Sequence, residues 1–90
     1  MPIMVYHRSG NDYAVTVDDR RGSTSHVVTV WPSDIERYAP GATPEELIEA
    51  AFAFLLEREP PQSILARFEL PVIERYFPEF QRAMTSQFSS

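Results

Sequence analysis

"TPEELIEAAFAFLLEREPP", Thr43 to Pro61, holds a helix start, a helix body and a helix stop in one stretch. Thr43 with Glu46 three residues on forms a capping box. The hydroxyl accepts from the backbone N–H of Glu46, and the carboxylate reaches back to the N–H of Thr43. Pro44 fits the first helical position, where its missing N–H costs no hydrogen bond, and Glu45 and Glu46 complement the positive end of the helix dipole. Pro60-Pro61 stop the helix, which is expected from Pro44 to about Arg58. At about 100° per residue, Leu47, Ile48, Ala51, Phe52 and Leu55 make a broad apolar face, and Ala50, Ala53, Phe54 and Leu56 extend it nearly all the way round. Only Glu49 and Glu57 interrupt it. Such a helix needs cover on two flanks: a sheet on one, the C-terminal segment or a second chain on the other.

The sheet is expected from the N-terminal third. "PIMVYHR" and "DYAVTVD" flank Ser9-Gly10-Asn11-Asp12, and Gly-Asn supplies the positive φ of a tight hairpin. "HVVTVW", His26 to Trp31, is a third β-rich run, after a polar stretch "DDRRGSTS" with the composition of a longer hairpin loop. Tyr13, Val15 and Val17 share one face of the middle strand, opposite Ala14, Thr16 and Asp18, so that face should be packed. The outer two runs are apolar at both parities and leave their inward faces open.

Between sheet and long helix, Ser33-Asp34-Ile35-Glu36 matches a second capping box, for a helix of a turn or two stopped by Ala39-Pro40-Gly41. Beyond the long helix, Pro60-Pro61 can start another, with Ile64, Leu65 and Phe68 at helical spacing. Pro71 can begin a further helix carrying Val72, Ile73, Tyr76 and Phe77, closed by Pro78. The fold class is therefore α+β: a three-stranded antiparallel β-meander, a short helix, one long buried helix and short C-terminal helices. A chain of 90 residues suits one core. That core is placed in one domain over residues 1–84, with a polar, mobile tail at 85–90.

Composition narrows the function classes. The net charge of −5 lies in the second half, since three arginines balance three aspartates before Ser33. An acidic chain repels phosphate, which disfavours non-specific nucleic-acid binding. With no cysteine, disulfides, thiolate zinc sites and thiol catalysis are excluded, and a reducing cytoplasm is permitted. The start lacks a basic region followed by an apolar one, so no secretory signal is expected. The longest apolar run, Ala50 to Leu56, falls far short of the roughly 20 residues that span a bilayer. A cytoplasmic protein without a membrane partner is the expectation.

Residue types that carry chemistry do not converge. His7 and His26 are the only histidines; they fit neighbouring strands but lack a third ligand, so no metal site is assigned. Ser23, Ser25, His26 and Asp18 or Asp19 have the letters of a nucleophilic triad without a nucleophile elbow or oxyanion motif. Arg20, Arg21 and Gly22 in "DDRRGSTS" match no phosphate-loop fingerprint, and a solvated turn is the better reading. Glu57-Arg58-Glu59 offers two carboxylates, but adjacent charges at a helix end form solvated pairs or caps. Neither a catalytic residue nor a cofactor is assigned.

Two interaction readings follow. "ILARFELPVIERYF" within residues 62–77 has the outline of a helix-turn-helix, which would make the chain a nucleic-acid-binding regulator or an antitoxin-like protein. Its second helix, however, offers only Arg75 to a base or phosphate. The stretch from Thr43 to Phe80, preceded by "YAVTVDDRRGSTSHVVTV", resembles a group of short uncharacterised bacterial proteins bearing "FLLEREP", "IL-x-RF" and "YFPE" signatures. That resemblance covers nearly the whole chain and implies a bacterial, cytosolic setting without an activity. In layout alone, a hairpin followed by an acidic helix is similar to partner-binding antitoxins of the HicB type, whose glycine-centred strand signature is missing. The leading reading is a non-enzymatic protein-interaction module or partner subunit that pairs as a homodimer or with another protein. Its candidate contact residues are Phe68, Tyr76, Phe77 and Phe80, more apolar surface than one such chain readily hides.

Overall fold

The computed structural model of the chain describes residues 3–20 and 22–88. It is an α+β fold of four helices and a four-stranded sheet, one face of which is buried and the other open. Strands β1 (Ile3–Ser9), β2 (Asp12–Asp19) and β3 (Gly22–Thr29) form the antiparallel meander expected from the sequence. Gly10 takes φ 55° in the first turn, and the register slips between His7 and Ser9, a bulge that ends the regular pairing beside the turn. The second connection is shorter than its composition implied. Asp19 pairs with Gly22, so only residues 20 and 21 join the strands, and "GSTS" is strand rather than loop. The polar run had the composition of a loop because Ser23 and Ser25 lie on the open face of the sheet, opposite Asp18 and Thr16, and face solvent.

The register settles the inward faces that the outer strands left open. Tyr13, Val15 and Val17 of β2 are buried, as their alternation required. Val5 and Ile3 lie opposite Val15 and Val17, while Val28 and His26 lie opposite Tyr13 and Val15, so these point to the same side. The other side of the sheet, with Met4 and Tyr6, remains open to solvent.

Helix α1 (Pro32–Tyr38) starts earlier than the Ser33 capping box suggested. Trp31 is the cap residue, and its backbone N–H donates to the Asp34 carboxylate at 2.9 Å. Pro32 decides this, because the first helical position suits a residue with fixed φ and no N–H. Helix α2 (Pro44–Leu56) begins with the full capping box: Glu46 N–H donates to the Thr43 hydroxyl at 3.1 Å, and Thr43 N–H donates to the Glu46 carboxylate at 2.8 Å. Seven of its residues are buried: Leu47, Ile48, Ala50, Ala51, Phe52, Phe54 and Leu55. Burial does not run all the way round, since Glu45, Glu46, Glu49 and Ala53 share an exposed strip.

The C-terminal third departs furthest from expectation. Pro61–Ser63 is a single 3-10 turn, and Arg67–Glu69 is a fourth strand, β4, parallel to β3. Ile64, Phe68 and Leu70 are buried while Leu65 and Ala66 between them are exposed. From Arg67 to Leu70 burial alternates with the twofold period of an extended chain, which the helical spacing of 64, 65 and 68 disguised. Without a helix over 64–68, the helix-turn-helix of residues 62–77 does not form. Helix α3 (Val72–Tyr76) follows Pro71 as expected, and α4 (Phe80–Phe88) packs against α1, α2 and α3. The segment read as a mobile tail is helical through Phe88, and the Thr85 hydroxyl donates to the carbonyl of Gln81 at 2.9 Å. Met84 anchors α4 in the core, and Ser89 and Ser90 lie outside the described residues. No helix among the described residues is long and apolar enough to cross a membrane.

Candidate functional site

The two flanks of α2 are closed by different means. On the sheet flank, the Phe52 ring lies 5.3 Å from the His26 imidazole and 6.1 Å from the Phe68 ring. His26 is buried with both ring nitrogens engaged: Nδ1–H donates to the carbonyl of Leu65 at 2.8 Å, and Nε2 accepts from the Thr24 hydroxyl at 2.9 Å. The tautomer follows from the carbonyl, which can only accept. His26 thus ties β3 to the chain entering β4. His7 lies on β1, across β2 from His26 rather than on a neighbouring strand, and its Nε2 bonds the Gly10 carbonyl at 2.9 Å in the turn. Among the described residues no group of three or more His, Asp or Glu side chains could hold a metal ion.

On the C-terminal flank, Phe54 meets the rings of Phe77 and Phe80 edge-on at 6.0 and 5.3 Å. The Arg58 guanidinium lies 3.6 Å over the Phe54 ring, donates to the Phe54 carbonyl at 3.0 Å and to the Glu79 carboxylate at 3.2 Å. One side chain therefore stacks on the aromatic cluster, caps the end of α2 and fastens the start of α4. The Glu79 carboxyl is held below the usual carboxylate range by its own backbone amide and, to a lesser degree, by Arg58. On the far side of the cluster, Tyr38 stacks on Phe80 at 5.0 Å and donates its hydroxyl to Glu74 at 2.7 Å, while Arg37 pairs with the same carboxylate at 2.9 Å. Burial, then the hydrogen bond and charge of Glu74, push the Tyr38 phenol well above its ordinary range.

Between these two clusters the covering layer is incomplete. An apolar groove of about 200 Å³ runs between the end of α2, the 3-10 turn and α3, lined chiefly by Leu55, Ile64, Leu65, Phe68, Val72 and Phe77. Tyr76 stands on its rim at 66% exposure and Leu65 at 47%. The one charged lining residue is Glu59, whose carboxylate has no hydrogen-bond or ion-pair partner among the described residues. The groove arises because a 3-10 turn, a three-residue strand and a five-residue helix follow one another with prolines at their joints. None is long enough to lay a continuous stripe along α2.

The structure brings together three of the four candidate contact residues and removes the fourth. Phe68 forms the groove floor at 8% exposure, Phe77 its wall and Tyr76 its rim. Phe80 is 0% exposed and belongs to the core, because it opens α4 facing Tyr38 and Phe54. Leu65 and Val72 read in the sequence as helix positions and Glu59 as a solvated helix-end charge, so none of the three is assigned there to the contact surface. The polar–apolar–polar run Arg67-Phe68-Glu69 was the available signal, since a strand there turns Leu65 outward.

The remaining chemical candidates stay apart. The Ser23 hydroxyl donates to Asp18 across the β2–β3 hairpin and does not meet His26, so no triad assembles. Arg20 is exposed in the two-residue connection, and Arg21 lies outside the described residues. Glu57 pairs with Arg58 at 3.4 Å while Glu59 faces the groove, so those two carboxylates do not converge. A wider depression of about 580 Å³ lies at the β1–β2 turn and is bordered by Trp31 and Arg67. Its charged groups are already engaged within the chain: Thr29 donates to Asp12 at 2.6 Å, Trp31 Nε1 donates to Glu69 at 3.1 Å, and Arg67 pairs with Asp12 at 3.7 Å. Comparison with protein-family models, with curated proteins and with solved structures finds no match.

Proposed function

We propose that the chain is a non-enzymatic protein-interaction module that associates with a second copy through the groove between α2 and α3. The observation that carries this reading is the state of the groove wall. Leu65 and Tyr76 hold large apolar side chains about half and two-thirds in solvent, beside a cavity whose floor is buried and aromatic. Exposed apolar surface around a concavity is the usual mark of an interface, and aromatic side chains contribute most where they are desolvated. A two-fold pairing is the commonest way for one patch to cover itself. The groove is smaller than the roughly 300–1,000 Å³ of most small-molecule sites, which favours a side chain as its occupant. Its lining side chains are apolar except Glu59, Ser63 and the hydroxyl of Tyr76, few groups with which to orient a substrate.

Light scattering after gel filtration tests the reading. The expected result is a mass of two chains at micromolar concentration, falling to one chain on Leu65→Ser with the circular dichroism spectrum retained. A single-chain mass throughout the micromolar range overturns it.

A further inference from the structure

The groove carries an unpaired acid at its wall, and the helix beside it carries an unpaired base next to its most exposed aromatic residue. Glu59 lines the groove without a partner; Arg75, directly before Tyr76 on α3, is exposed and also makes no hydrogen bond or ion pair among the described residues. This distinguishes Arg75 from Arg37, Arg58 and Arg67, each of which is held by a carboxylate of its own chain. We infer that two copies pair about a two-fold axis so that Tyr76 of each enters the groove of the other. Arg75 of one protomer then meets the partner's Glu59, and the same contact recurs with the roles exchanged.

The inference rests on the groove being the self-association surface and names how that surface reads its partner. A two-fold contact is reciprocal: if residue i of one copy meets residue j of the other, then j meets i. A chain carrying both the knob and the hole, with opposite charges beside them, satisfies that condition without help from another protein. A volume of about 200 Å³ suits one large side chain, and Tyr76 is the most exposed of the large apolar residues. A tyrosine can place its ring against Ile64, Val72 and Phe77 and leave its hydroxyl at the wet edge near Ser63. Charge selects this register among others. Each copy has a net charge of −5, so arbitrary encounters are repulsive, and a face bringing an arginine to an unpaired glutamate twice over is favoured against them.

A charge-swap series on the full chain, read as the dimer dissociation constant by sedimentation equilibrium, tests this. Arg75→Glu and Glu59→Arg should each weaken the dimer by about tenfold, because each change replaces two attractive contacts by two repulsive ones. The double variant should return to within about threefold of the parent, since it restores both pairs with exchanged signs. A dimeric parent whose double variant is as weak as, or weaker than, the single variants overturns the Arg75–Glu59 register and leaves the groove reading standing. A parent that is monomeric at every concentration overturns both. Both side chains lie outside the core, so at dilutions where all four proteins are single chains their thermal melts should match, which confirms that association alone has been altered.

Discussion

Phe52 and Phe54 are two residues apart on one helix, and they meet two kinds of wall. Phe52 lies against the sheet, with the rings of His26 on β3 and Phe68 on β4 beside it. Phe54 faces a wall assembled from pieces, Phe77 before a proline, Phe80 after it and the guanidinium of Arg58 laid across the gap. Both are buried, and the open groove begins where the two walls meet, floored by Phe68 of the sheet flank and walled by Phe77 of the pieced one. Long regular elements close a surface because their side chains repeat in register along it. Short elements joined by prolines fill volume locally and leave the joints open. The same apolar composition thus yields core along the sheet and a candidate interface at the joint.

The sharpest break in that comparison is a cavity on each side. Phe52→Ala should cost about 3–5 kcal/mol, since its surroundings are sheet and cannot collapse into the space left behind. Phe54→Ala should cost at least about 1 kcal/mol less, because Arg58 and the short C-terminal elements can close in. Urea denaturation of the two variants measures the difference. Equal losses would mean that the pieced flank is as rigid as the sheet flank.

How much of this was legible follows the same division. The meander, the Thr43 capping box and the inward triplet Tyr13, Val15 and Val17 could be read because each rests on a local rule repeated over several residues. Beyond Pro60 the rules compete. Ile64, Leu65 and Phe68 satisfy a helical spacing, while Phe68 and Leu70 satisfy an extended one, and three residues of strand add too little period to decide. What decides is long-range: β3 offers an edge, and Val27 N–H donates to the Ala66 carbonyl at 2.8 Å while Leu70 N–H donates to Thr29 at 3.0 Å. No residue spacing encodes that pairing. The site was half legible for the same reason. Tyr76 and Phe77 followed from α3, whereas the outward turn of Leu65 and the inward turn of Phe80 depend on the partner each segment finds.

Alkaline titration sharpens the comparison by asking whether the two flanks unfold together. The chain has four tyrosines and neither lysine nor cysteine, so the side chains that titrate above about pH 9 are its phenols. Tyr38 is raised by burial, then by Glu74, and Tyr13 is raised by burial and then by the charge of Glu45. A phenol raised in the folded state favours folding fully below its unfolded value of about 10, where both states hold the proton. As pH rises above that value the unfolded chain loses the proton first, and stability falls by up to about 1.4 kcal/mol per pH unit for each such group. The expected outcome is a constant urea midpoint from pH 7 to about pH 10 and a decline beyond it, shallower in Tyr38→Phe. Trp31 fluorescence and far-ultraviolet circular dichroism should report one transition, because Tyr38 joins α1 to both α3 and α4 through Glu74 and Phe80. Two separated transitions would show the pieced flank opening on its own.

The smallest expected effect makes the most direct test of how the C-terminal segment is arranged. Ile64 and Leu65 are neighbours of similar size, and helical spacing gives them the same role. The structure gives them opposite ones, with Ile64 buried at 8% exposure over the groove floor and Leu65 at 47% on its rim. In solutions dilute enough that association contributes nothing, Leu65→Ser should change stability by less than about 0.5 kcal/mol, the range of an ordinary surface substitution. Ile64→Ser should cost several times more, since it removes buried methyl groups and leaves a hydroxyl in an apolar setting. A loss above about 1 kcal/mol at Leu65 would place that side chain in a closed core, with a helix over 64–68 and no open groove beside it. The expected small loss, joined to a fall in association for the same variant, would separate the two roles that one apolar segment performs.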